Sequence, residues 1–102
     1  MRHKILLLSQ TKDDICDAKN YYNKVVPLLG KRFINDLRTT LDIIQRNPFI
    51  YGSRIKGFRT ANLNIFPYQV HYLIEEASRT VVIFAVLNAH RDPNYISGRF
   101  GK

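Results

Sequence analysis

His90-Arg91-Asp92-Pro93 sets an imidazole, a guanidinium and a carboxylate in consecutive positions just beyond an apolar run at residues 81 to 87. Loops held by a rigid sheet often carry function, so the end of that run is a candidate site, although Asp-Pro also serves simply to end a strand. Tyr95, Arg99 and Lys102 follow. A second group of cations, Arg54, Lys56 and Arg59, falls in an interval with no acidic residue between Asp42 and Glu75. Interleaved with Phe58, Phe66, Tyr68 and Tyr95, these cations suit two kinds of macromolecule. They can neutralise phosphates while rings stack under unpaired bases, or they can meet an acidic protein surface. Charge alone does not separate the two, and a solvated basic face gives the same composition.

Other chemistry finds little support. His3, His71 and His90 are too scattered for a metal motif, and no HExxH or paired carboxylate occurs, so neither metal nor cofactor is expected. His71 alternates with Val70 and Tyr72 and is expected to be hydrogen-bonded on one face of a sheet. A single cysteine, Cys16, excludes a disulfide framework and a cysteine-based zinc site; it reads as an inert helix residue and fits a reducing cytoplasm.

Positioning these residues falls to one small basic domain spanning 1–102. Its 16 Lys and Arg against 8 Asp and Glu give a net charge of +8, and 45% hydrophobic residues suffice for a core. No stretch approaches the ~18 apolar residues of a membrane span. The run Ile5-Leu6-Leu7-Leu8 is too short for the ~7 to 15 apolar residues of a secretory signal and predicts a strand. Ser9, Thr11, Asp13 and Asp14 then predict the caps and acidic first turn of a helix, with Ile15, Ala18, Tyr22 and Val25 recurring at helical spacing. At the adjacent Tyr21-Tyr22 pair, one ring must face the core. Pro27 and Gly30 limit this helix. A second stripe, Phe33, Ile34, Leu37, Leu41 and Ile44, leaves Arg32, Asp36, Arg38, Asp42 and Arg46 outside it and stops at Asn47-Pro48. The pair predicts an antiparallel helical hairpin.

Beyond Pro48 the period changes to two, with strands expected over residues 58 to 66, 68 to 75 and 79 to 88. The last is apolar on both faces, as a central strand should be. The expectation is an α+β fold: an N-terminal strand, the antiparallel hairpin, then a three-stranded antiparallel meander, joined into one sheet by a crossover through the hairpin.

Ser9 with Asp14-Ile15, Tyr21-Tyr22, Leu29-Gly30-x-Arg32-Phe33, Asn47-Pro48, Phe66-Pro67-Tyr68-x-Val70-x-Tyr72, and Ala85-Val86 leading into His90-Arg91-Asp92-Pro93 together resemble the RelE/ParE toxins, notably the plasmid-stabilisation branch. The resemblance spans almost the whole chain. It implies the toxin of a type II toxin–antitoxin pair, cytoplasmic, growth-inhibiting and silenced by a cognate antitoxin. The RNA-cleaving branch uses strand lysines, an arginine directly after the turn tyrosine, a late arginine and a further tyrosine. Here Gln69 follows Tyr68, Thr60 and Asn62 stand where lysines belong, Arg91 matches the late arginine and Tyr95 is the nearest tyrosine. Losing one preorganised cation can cost ~10² to 10³ in rate. The resemblance therefore implies inhibition of DNA gyrase by protein binding, through Arg59, Arg91, Tyr95 and Arg99. The alternative is a ribosome-dependent mRNA endonuclease with Arg59, Arg91 and Tyr95 as catalytic residues. For the antitoxin, the expected surface is a groove between hairpin and sheet exposing Tyr22, Leu29 and Leu87.

Overall fold

The computed structural model describes residues 2–55 and 57–90, with no side-chain account of residues 53 to 55. Seven elements follow in order: β1 (Lys4–Leu7), α1 (Ser9–Val25), α2 (Leu29–Arg46), β2 (Ser53–Ile55), β3 (Phe58–Asn62), β4 (Tyr68–Glu75) and β5 (Thr80–Asn88). They form one mixed sheet of order β1-β5-β4-β3-β2 with the helical hairpin on one face. β1 runs parallel to β5, the crossover that the hairpin makes possible, and the other pairings are antiparallel. The expected α+β architecture is what forms, with β2 an additional short edge strand.

Phe33, Leu37, Ile44, Val70, Tyr72, Val81, Ile83 and Val86 fill the layer between hairpin and sheet. β5 serves both faces because its register against β4 shifts. His71 pairs with Ala85 but Tyr72 with Ile83, so Phe84 is an extra residue in a bulge. Val81, Ile83 and Val86 accordingly point to the helices, while Phe84, Ala85 and Leu87 form a second cluster with Leu8 and Phe58 on the opposite face.

The predicted caps of α1 do other work. Leu8 holds the cap position, and no side chain caps the helix. β1 ends opposite Ile83, and α1 then takes over that edge of β5: Thr11 Oγ1 donates to the Ile83 carbonyl at 2.7 Å, and Asp14 Oδ2 accepts from the Val86 amide at 3.1 Å. A buried strand needs partners for these backbone groups more than an exposed helix end does.

At the hairpin the two helices nearly touch. A Cβ on Gly30 would lie 2.6 Å from the Lys19 carbonyl oxygen, and the Gly30 amide donates to Asn23 Oδ1 at 2.8 Å. Gly30→Ala is expected to destabilise the fold by about 1–3 kcal/mol, because a backbone atom rather than a flexible side chain must give way. Urea unfolding checks this, and a loss under about 0.5 kcal/mol would mean that the helices separate freely. Just before it, Leu28 adopts φ 71°, a left-handed conformation that costs a non-glycine residue roughly 1–2 kcal/mol.

Candidate functional site

On the sheet face opposite the helices, the β3–β4 register sets Thr60 against His71 and Asn62 against Gln69. Thr60 Oγ1 and His71 Nδ1 lie 3.2 Å apart, and Gln69 Nε2 donates to Asn62 Oδ1 at 3.0 Å. His71 is buried and hydrogen-bonded on one sheet face, as its alternation predicts. These four positions thus form cross-strand polar pairs, and Arg59 does not join them. Arg59 lies opposite Tyr72, and therefore on the helix side of the sheet. Its guanidinium donates to the Tyr51 carbonyl and sits 5.3 Å from the centre of the Phe49 ring. Nor does it lie beside the end of β5. The register brings it level with Ile83, five residues before Asn88, or about 16 Å at strand spacing. Arg91, Tyr95, Arg99 and Lys56 lie outside the described residues, as does the side chain of Arg54.

Of the residues expected in a groove between hairpin and sheet, Tyr22 and Leu29 are half-buried and Leu87 is buried on the other face. Tyr22 packs its ring 4.8 Å from Phe66, 5.6 Å from Phe33 and 6.0 Å from Tyr68, centre to centre, while Tyr21 faces outward. Desolvation, with smaller contributions from Tyr68 and Tyr21, pushes the Tyr22 hydroxyl above its ordinary pKa. Leu87 is not partly open but 3% exposed, and the strand alternation after the bulge turns it away from Tyr22 and Leu29. The three do not share a surface. Leu29, partly buried, instead lines a shallow hollow of about 330 Å³ at the hairpin tip with Val26, Leu28, Lys31 and Arg32. A more polar hollow of about 240 Å³ adjoins it through Arg32 and Asn35 and ends at Asn64 and Ile65.

Asp36 holds that end. Although it reads as an outward residue, it is buried, and its carboxylate accepts from the amides of Asn64 at 3.3 Å, Ile65 at 2.9 Å and Phe66 at 3.0 Å. The strand expected to continue to residue 66 therefore ends at Asn62 and becomes a loop wound onto α2.

Residues 5–93 match the family described as ParE toxin of type II toxin-antitoxin system, parDE. The chain belongs to the ParE toxin family. None of the curated proteins matches it. Among solved structures it is similar to the chromosomal ParDE system of P. aeruginosa, with a TM-score of 0.75 at 13% identity, covering 87% of this chain and 98% of that one. The RelBE2 toxin–antitoxin complex of Mycobacterium tuberculosis gives a TM-score of 0.60 at 17% identity, covering 86% and 99%. The isolated E. coli RelE toxin gives 0.58 at 13% identity, covering 94% of each. At such identities the structures share the fold, and the family match makes this protein the toxin of a type II toxin–antitoxin system.

In this ParE-family toxin the described site residues divide by sheet face. The polar pairs lie on one face, and Arg59 and Tyr22 on the other. Asp36 and Leu28 escape a reading by helical stripe, because one is buried by a loop distant in sequence and the other is exposed by its own backbone angle. No helix among the described residues is long and apolar enough to cross a membrane.

Proposed function

We propose that this toxin arrests growth by binding DNA gyrase, in the cytoplasm, and that a cognate antitoxin neutralises it by binding its surface. What supports gyrase over RNA is the pairing on the side of β3 and β4 away from the helices. The Asn62–Gln69 pair is uncharged, Thr60 is hydrogen-bonded to His71, and Arg59 is turned to the other face against Phe49. Cleavage of a ribose–phosphate bond needs preorganised cations where charge develops. A protein target asks only for a complementary surface. Arg91, Tyr95 and Arg99 remain the target-binding residues of this reading.

The test is a gyrase supercoiling assay with purified toxin, intact and as Arg91→Ala. The intact toxin is expected to inhibit supercoiling, and the variant to need at least tenfold more protein. Unimpaired supercoiling alongside codon-phased breaks in translated messages would replace this reading by the ribosome-dependent endonuclease.

A further inference from the structure

Leu28 is unfavourable to the isolated chain twice over. Its left-handed φ of 71° is one that glycine or asparagine adopts more readily, and its side chain is 74% exposed. Val25 and Val26 beside it are 56% and 51% exposed, so the hairpin tip presents an apolar projection that contributes little to the core. Backbone strain held at an exposed apolar residue is characteristic of a surface shaped for contact.

The chemistry of the surroundings selects the partner. The hollow beneath Leu28 carries Lys31 and Arg32 on its rim and no carboxylate. Among the described residues, the close ion pairs join Arg2 and Arg46 to Asp42, leaving Lys31 and Arg32 outside them. The floor continues past Arg32, Asn35, Thr39 and Asp36, whose buried carboxylate is taken up by three backbone amides, to Ile65, 69% exposed on the loop that Asp36 anchors. Apolar ground at both ends with cations between them complements an amphipathic segment whose polar side is acidic.

We propose that the hairpin tip and the outer face of α2, from Leu28 through Lys31 and Arg32 to Ile65, form the docking surface for an acidic amphipathic segment of the antitoxin. The proposal rests on the toxin–antitoxin reading above and places the contact on the outer side of the hairpin rather than between hairpin and sheet. Leu28 inserts as the apolar anchor, and Arg32 meets the segment's carboxylates.

The test measures binding of the full-length antitoxin encoded beside the toxin gene, by titration calorimetry, to the intact toxin, Leu28→Gly and Arg32→Glu. Leu28→Gly is expected to weaken binding at least tenfold while leaving Tm equal to the parent's or a few degrees higher, because glycine relieves the strained angle. A structural role for Leu28 would lower Tm instead. Arg32→Glu is expected to weaken binding tenfold or more and to flatten its dependence on salt between 50 and 300 mM. If both variants bind within twofold of the parent, the docking surface is wrong and the toxin–antitoxin reading stands. If the intact toxin neither binds the antitoxin nor is neutralised by it, that reading falls and the docking surface with it.

Discussion

Replacing Asp36 by alanine is expected to cost the folded toxin about 2–4 kcal/mol. Its carboxylate is 4% exposed and accepts from three consecutive backbone amides of the β3–β4 loop. A hydrogen bond to a charged group contributes roughly 1.5–3 kcal/mol, and a buried donor left without a partner carries a desolvation penalty of about 1–3 kcal/mol. Asn64 and Ile65 are exposed, so water can replace the carboxylate at their amides, but Phe66 is buried and its amide would be stranded. This is why the sum falls below three full bonds. For a domain of this size the loss is a large fraction of a typical total of 5–15 kcal/mol, and about 10–20 °C in Tm. Asp36→Asn, which keeps one acceptor oxygen, should fall between alanine and the parent. Chemical denaturation decides it, and an alanine variant within about 0.5 kcal/mol of the parent would show that the loop is held by its own packing. Since the same loop carries Ile65, loosening it should also blunt one end of the proposed docking surface.

The second large effect concerns alkaline pH. Burial raises the Tyr72 hydroxyl to about 12 from 10.0; Arg59 opposite it lowers the value in part, and Tyr51 raises it. The side chain is 0% exposed, and its hydroxyl donates to the Pro48 carbonyl at 2.6 Å. Above pH 10 the unfolded chain releases this proton while the folded one retains it, so the unfolded state binds fewer protons and stability falls as pH rises. The contribution is intact below pH 10 and is lost on the way to about 12. Two units at 1.36 kcal/mol each amount to roughly 2–3 kcal/mol. Tyr72→Phe removes this step at the expense of one hydrogen bond, about 1 kcal/mol at neutral pH. Stability curves of parent and variant, measured by urea unfolding from pH 8 to 12, are therefore expected to converge and cross in the upper half of that range. Parallel curves would show that Tyr72 is not the group responsible.

Both effects arise where the sheet is tied to α2 and to the turn after it. Asp36 ties down the loop after β3, and Tyr72 the turn after α2. Arg59 adds to the second tie by donating to the Tyr51 carbonyl beside Phe49. Its guanidinium has a structural use that its place in the sequence does not reveal, and this weakens it as a reactive cation. Among the described residues, the basic rim at Lys31 and Arg32 takes part in none of the close ion pairs. That difference separates cations that build the fold from those free to meet a partner.

Periodicity and punctuation by themselves determined the order of elements apart from the short edge strand β2, together with the hairpin, the meander, the two-faced last strand and the inward turn of Tyr22, because each follows from which side of an element is apolar. The motif series from Ser9 to Pro93 likewise led to the toxin family, and the unusual Thr60, Asn62 and Gln69 were visible as residue types. Only the tertiary structure decided the uses of Thr11 and Asp14, which bond a strand 72 residues away rather than cap their own helix. It alone decided the burial of Asp36 and Leu87, and the exposure of Leu28 at a left-handed turn. Local pattern reports the preference of a segment for water or core. It carries no information about which distant backbone group will need a partner, or where a one-residue bulge will reverse the faces of a strand.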